Sequence, residues 1–386
     1  MKSLPSRLLF VSAGMSPRGG GIAAAGRLLL GATRAWAEQR GVEVRLLTLG
    51  TADELPAGCA GEAFTGNRGR LARAVWAAQT LHGFRHHVYD FLGVARIQGV
   101  LPATLRARYL LYVYGIECWR PLRRSRRRAL EGASRVLACS EHTARALASY
   151  NPWAPRVDVV HLALPDERPA GEPDRVADEV GESFLLIVGR MAASERYKGH
   201  DEVLQALRRL SAMRPGLRLV VVGEGDDRER LEALAKELGI ADRVRFTGFV
   251  DDAALAALYE RCAALVMPSA REGFGFVYLE AMRAGKPCIA LRESAAAEIV
   301  VDGETGLLVA PGPDALADAI EELLRDEPRS RRMGAAGRER WRHEFRPARF
   351  AEALAKRLDL LTGLVSTARP AVPAGVRVPL LLPPER

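Results

Sequence analysis

One stretch, from Ala263 to Pro287, limits the fold more than any other. Ala263-Ala-Leu-Val-Met267 is a short apolar run that stops at Pro268, as a buried parallel strand would. Glu272-Gly-Phe-Gly275 follows, and its two glycines let backbone N–H groups approach a ligand closely. The spacing then predicts a helix from Phe276 to Ala284, closed by Gly285 and Pro287. A helix that opens on glycines offers free N–H groups and the positive end of its dipole, a natural seat for phosphate. Strand, glycine loop and helix in this order call for an α/β chain with parallel sheets.

Two carboxylates frame that seat, Glu272 in the loop and Glu280 in the helix. By spacing alone they could equally be a loop acid and a solvated helix acid. Together with Gly-Phe-Gly after the first acid and Glu-Ala-Met-Arg-Ala-Gly-Lys-Pro around the second, they resemble the donor site of family 4 retaining glycosyltransferases. The resemblance extends to about residue 360. It implies the GT-B fold: two facing Rossmann-like domains, with a C-terminal helix crossing back to the first.

Length agrees with two domains, since 386 residues exceed one ordinary core. The expected division is an N-terminal acceptor-side domain over 1–165 and a linker over 166–181, rich in proline, glycine and charge. A nucleotide-sugar domain over 182–345, a crossover helix over 346–363 and a proline-rich tail over 364–386 follow. No apolar run approaches the ~20 residues of a membrane span. Leu8–Val11 is too short for a signal peptide and reads as a first strand. Five scattered cysteines without a CxxC pair argue against a disulfide framework or a structural zinc site, and point to a reducing cytosol. His86, His87 and Asp90 invite a metal reading, but adjacent strand residues point to opposite faces, and no metal is assigned.

The net charge of +9 is uneven. Residues 1–170 hold 24 Lys+Arg against 12 Asp+Glu, and the remainder 32 against 35. The densest run is Arg120, Arg123, Arg124, Arg126, Arg127 and Arg128. Pro121 suits a helix start there, which places Arg120, Arg124, Arg127 and Arg128 near one face. A solvated helix and an anionic membrane surface both fit this run. Nucleic acid fits least, because no binding module or interleaved aromatics accompany it.

The resemblance assigns further residues. Gly189-Arg190, after the strand Phe184–Val188, and Lys198-Gly199, before a helix, match the two cations that clamp the donor diphosphate. Gly273, Phe274 and Gly275 would present backbone N–H groups to it. Glu280 would hold the ribose, and Glu272 the transferred sugar. Phe249 and Val250 would line the base pocket, and Gly20 of the glycine run 19–21 would lie between donor phosphate and acceptor. That run lacks the GxGxxG spacing of a dinucleotide fingerprint. On the acceptor side the family's His-Gly-x-(Asp/Glu) is matched by Tyr114-Gly-Ile-Glu117, and its Ser-x-x-Thr by Ser140 to Thr143, where Ser140 is also a helix cap. Tyrosine in place of histidine is a departure, since a phenol is a poor base at neutral pH. Alanines before Glu298, where the family has a glycine pair, are another. The implied activity is metal-independent, retaining transfer of a sugar from a nucleoside-diphosphate donor to a hydroxyl of a glycan, lipid-linked or small-molecule acceptor, with no cofactor. A peripheral position on the inner membrane face would suit the basic half. A non-catalytic partner subunit and another GT-B enzyme, such as a nucleotide-sugar epimerase, are the alternatives.

Overall fold

A computed structural model describes residues 6–16, 19–166 and 175–364. The chain forms two compact units. The first runs to Ala163 and takes in the helix that begins at Pro347, and the second spans Leu164–Arg346.

The first unit is built on seven parallel strands: β1 (Arg7–Ser12), β2 (Glu43–Thr48), β3 (Gly61–Ala63), β4 (His86–Tyr89), β5 (Arg108–Val113), β6 (Arg135–Ala138) and β7 (Val157–Val159). They lie in the order β3-β2-β1-β4-β5-β6-β7. Helices α1 (Gly20–Arg40), α2 (Arg68–Thr80), α3 (Leu92–Gly99), α4 (Arg124–Glu131) and α5 (Glu141–Tyr150) alternate with them. The strands read as near-continuous apolar runs because helices bury them, as in Leu8–Val11 and Tyr109–Val113.

The second unit opens with α6 (Arg175–Val180) and continues β8 (Leu185–Val188), α7 (His200–Leu210), β9 (Leu219–Val222), α8 (Arg228–Glu237), β10 (Val244–Gly248), α9 (Asp252–Arg261), β11 (Ala264–Met267), α10 (Phe276–Arg283), β12 (Cys288–Leu291), β13 (Gly306–Val309), α11 (Pro313–Arg325) and α12 (Glu327–Glu344). Its six parallel strands lie in the order β10-β9-β8-β11-β12-β13. The chain enters and leaves this unit side by side, since the Leu164 N–H donates to the Phe345 carbonyl at 2.9 Å. The Trp341 indole N–H donates to the Leu164 carbonyl at 3.3 Å.

The last helix, α13 (Pro347–Thr362), packs on α1 and β5 of the first unit. Buried Leu354, Leu358 and Leu361 supply its apolar face. Asp359 fixes its end, accepting from the Trp36 indole at 2.8 Å and from Arg40 Nη2 at 2.9 Å.

Two local expectations are corrected. Residues 175–180, expected within the linker, are helical and tied to the second unit. Asp178 pairs with Arg261 at 2.6 Å and Glu179 with Arg245 at 3.1 Å. Pro121 does not start a helix: α4 begins at Arg124. Buried Asn151 holds the preceding segment instead, accepting from the Leu122 N–H at 2.9 Å and donating to the Arg120 carbonyl at 3.1 Å. Arg120 is therefore off the helix face on which it was placed. The expected tail from residue 365 lies outside the described residues.

Candidate functional site

In each sheet the strand order reverses once, between β1 and β4 and between β8 and β11. Loops leaving two such neighbours diverge to opposite faces and open a crevice at the carboxyl ends, where ligands of open α/β sheets bind.

At the second reversal, Arg190 and Lys198 come from the segment after β8, and Glu272 from the loop after β11. Lys198 Nζ stands 4.0 Å from Glu272 Oε2, and both side chains are largely buried. The two segments meet through backbone. The Ala270 N–H donates to the Tyr197 carbonyl at 2.8 Å. Gly199 has φ +86°, and a Cβ there would lie 2.5 Å from Pro268 Cγ and 2.8 Å from its carbonyl oxygen. Only glycine permits both the left-handed backbone and the contact.

Gly275 caps α10 with φ +97° and no side-chain cap. A Cβ would sit 2.5 Å from the Tyr278 ring. Tyr278 is fixed in turn, its hydroxyl donating to the Met267 carbonyl at 2.8 Å. Phe274 is a core residue, its ring 6.0 Å from Phe276 and 6.1 Å from Phe345. It anchors the loop and can serve a ligand only through its backbone. Glu280 is 2% exposed and accepts from the Tyr259 hydroxyl at 2.8 Å. Burial pushes its carboxyl up to about 7, against the Tyr259 hydrogen bond and Arg283, which favour the charged form. Of the expected base-pocket pair, Phe249 is exposed and Val250 buried. Ala295 and Ala296, before Glu298, bury their methyl groups completely.

In the first unit the sequence drew attention to Gly20 after β1, Tyr114 and Glu117 after β5, and Ser140 after β6. Tyr114 is buried, and its hydroxyl has no hydrogen-bond partner among the described residues. Its N–H donates to Glu117 Oε1 at 2.7 Å. Burial raises the Glu117 carboxyl above its ordinary range. Ser140 is fully buried and caps α5 through the Thr143 N–H at 3.0 Å. Gly20 opens α1 with φ +68°.

The sequence offered Asp90 only for a metal, and missed that it organises this end of the unit. Asp90 is buried and accepts from the Ser12 hydroxyl at 2.5 Å and the Ala13 N–H at 2.9 Å. It thereby ties the end of β4 to the loop that carries Gly20. Burial pushes its carboxyl up to about 7. His87 is spent on the Phe84 carbonyl and the Tyr89 hydroxyl, and burial lowers it to about 4. Among the described residues, no group of three or more His, Cys, Asp or Glu could hold a metal ion. Sequence reasoning also missed Tyr259, which holds Glu280, and Glu195, whose carboxylate binds Arg190 at 2.5 and 3.2 Å. Nothing local marks either as a partner.

The family described as "Glycosyl transferases group 1" matches residues 173–340, from α6 into α12. The match covers most of the second unit. The matched residues include every residue assigned to the donor except Gly20. Among curated relatives, the GDP-mannose-dependent alpha-(1-6)-phosphatidylinositol monomannoside mannosyltransferase of Mycolicibacterium smegmatis is 33% identical over 250 residues, 60% of this chain and 65% of that protein. Glycogen synthase of Mycobacterium tuberculosis is 37% identical over 166 residues, 43% of this chain and 39% of that one. The chain thus spans less than two thirds of these relatives' lengths. Among solved structures, Anabaena HepE in complex with UDP and glucose matches with a TM-score of 0.75 at 20% identity, over 92% of this chain and all of that one. Sucrose-phosphate synthase of Thermosynechococcus elongatus matches with 0.75 at 23% identity, over 93% and 99%. The fold is GT-B.

The titration of Glu280 has a signed consequence. Its carboxyl ordinarily titrates at 4.5, and in the folded chain near 7. Between those values the folded state keeps a proton that the unfolded chain has lost. Stability from this group is therefore full below pH 4.5 and falls as pH rises through 7, by about 3 kcal/mol at most. Glu280→Gln removes this dependence and leaves a carbonyl oxygen to accept from Tyr259. Urea unfolding at pH 5 and pH 8 should show the variant gaining on the wild type at the higher pH. Parallel profiles would mean that Glu280 is already ionised in the folded chain.

Proposed function

We propose that this chain is a metal-independent, retaining glycosyltransferase. It moves a sugar from a nucleoside-diphosphate donor to an acceptor hydroxyl. The observation that carries this reading is the pairing of Lys198 and Glu272 at the strand-order reversal, beside the uncapped glycine start of α10. One patch thereby supplies what the reaction needs: cations for a leaving diphosphate, N–H donors at a helix start, and a carboxylate for the sugar.

Arg190 and Lys198 neutralise the diphosphate as it departs, and the Gly273–Gly275 backbone adds hydrogen-bond donors. Glu272 accepts from hydroxyls of the transferred sugar and favours positive charge at its anomeric carbon. Glu280, held by Tyr259, accepts from the ribose hydroxyls. Phe249 and Val250 flank the base. The bond from anomeric carbon to phosphate oxygen breaks as the acceptor oxygen bonds to that carbon on the same face. The acceptor's proton passes to the departing phosphate oxygen, so retention needs no strong protein base. Tyrosine at 114 is compatible with that route. Tyr114, Glu117 and Ser140 shape the acceptor side. The M. smegmatis relative is named for a GDP-mannose donor and a phosphatidylinositol mannoside acceptor, and HepE binds UDP and glucose, in keeping with donors and acceptors of this class.

Glu272→Gln keeps the side chain's size and removes its charge. In assays of nucleoside-diphosphate release from a panel of nucleotide sugars, turnover should fall about 100-fold or more, with the thermal midpoint preserved. Undiminished turnover contradicts the role of Glu272, and no turnover by the wild type on any donor or acceptor favours the partner-subunit alternative.

The arginine run extends this proposal to an anionic membrane surface. Arg120, Arg123, Arg124 and Arg128 are exposed. Arg127 is partly spent, paired with Glu131 at 2.8 Å and stacked over Trp153 at 4.5 Å. Among the described residues no helix is long and apolar enough to cross a membrane. Each arginine near an anionic surface contributes about 1 kcal/mol, so replacing Arg123, Arg124 and Arg128 with glutamine should weaken binding to phosphatidylglycerol vesicles about 100-fold. Co-sedimentation that ignores the vesicles' anionic fraction would remove this partner.

A further inference from the structure

Arg190 and Lys198 share one role in the donor site, yet they are held differently. Lys198 is loosely placed, 4.0 Å from Glu272. Arg190 is gripped at two points. Its Nη2 donates to Glu195 Oε1 at 2.5 Å and its Nε to Glu195 Oε2 at 3.2 Å. The carboxylate is the inner partner, 13% exposed against 43% for the guanidinium.

The backbone around this pair is already fixed. The Gly189 N–H donates to the Val222 carbonyl at 3.0 Å and the Met191 N–H to the Glu224 carbonyl at 2.8 Å. The turn Ala193–Lys198 is tied down by the Ala193 N–H to Asp226 Oδ1 at 2.8 Å and by Arg196 to Asp227 at 2.8 Å. Its Tyr197 carbonyl receives the Ala270 N–H from the loop that carries Glu272. Within that turn Glu195 departs from helical geometry, with φ −121° and ψ 26°. What remains free in Arg190 is its long side chain, and the two-point pair removes that freedom.

We propose that Glu195 is a positioning residue that aims Arg190 at the donor diphosphate. The inference rests on the reading of the second unit as a nucleoside-diphosphate site. A guanidinium carries five N–H donors in a fixed plane and stays charged at any ordinary pH. Glu195 engages the Nε edge. Among the described residues, Nη1 and the outer Nη2 hydrogen carry no hydrogen bond, which leaves them for the donor.

Two effects oppose each other at Glu195. As a negative charge beside a diphosphate it repels the ligand, so by Coulomb's law alone its removal tightens binding. As a two-point holder it spares the ligand the cost of ordering a flexible arginine, so its removal weakens binding. Arg190 is half-exposed, where water screens the repulsion, whereas the ordering persists in any dielectric. Ordering therefore prevails, and the sign of the change tests the proposal.

The test is calorimetric titration of the full chain with UDP, GDP and ADP in EDTA. The tightest of the three then serves as the probe. Glu195→Gln should weaken it about tenfold despite the lost negative charge. Glu195→Asp keeps the charge, shortens the reach, and should weaken it as well. In an Arg190→Ala background, Glu195→Gln should add less than about twofold, because Glu195 acts through Arg190. Equal or tighter binding by Glu195→Gln overturns the proposal. So does an undiminished effect in the Arg190→Ala background, which would mean that Glu195 serves the fold of the turn. A wild type that binds none of the three contradicts the donor-site reading itself, and the proposal falls with it.

Discussion

The donor reading depends on one topological fact: β8 and β11 are neighbours although two strands separate them in sequence. Their following loops leave in opposite directions, and the space between them is where side chains far apart in the chain can meet. The meeting is close enough to be backbone against backbone, because at Gly199 a side chain has no room beside Pro268. That contact brings Lys198 to Glu272 across 74 positions of sequence. Without it the cations after β8 and the acid after β11 would be ordinary surface charges.

The same principle operates in the first unit with different chemistry. There the reversal joins β1 to β4, and the tie is a buried carboxyl, Asp90, holding Ser12 and Ala13. The surroundings are apolar enough to raise its titration, as they do for Glu280 in the second unit. Asp90 and Glu280 are thus each held by a hydroxyl from a neighbouring element. Burial first, and then the charge of Asp90, raise the phenol of Tyr114, whose hydroxyl has no hydrogen-bond partner among the described residues.

Much of this was legible in the sequence because it is local. Arg190, Lys198, Glu272 and Glu280 sit in short motifs whose apolar runs, glycines and prolines announce strand, loop and helix. What was not legible depends on partners distant in sequence or unmarked by any motif. Pro121 reads as a helix start, but Asn151, 29 residues beyond Leu122, clamps the segment as a loop and delays the helix to Arg124. Ser140 was readable as a cap from its own neighbours, whereas Asp90 shows its role only against Ser12, 78 residues earlier. The core packing of the Phe274 ring was not legible either, since its contact with Phe345 joins segments no periodicity connects. Glu195 is only five residues from Arg190, yet it reaches it through a non-helical turn that no pattern specifies.

The proposed donor site holds a nucleoside diphosphate through the second unit's own cations. Thermal-shift titration with UDP, GDP, ADP and CMP, in EDTA and then with magnesium, tests it most directly. A ligand that binds only the folded chain, at about 100 times its Kd, adds roughly 2.7 kcal/mol. A clear upward shift is expected with one diphosphate in EDTA, unchanged by magnesium and lost in Lys198→Ala. A shift that needs magnesium, or none with any nucleotide, would contradict it.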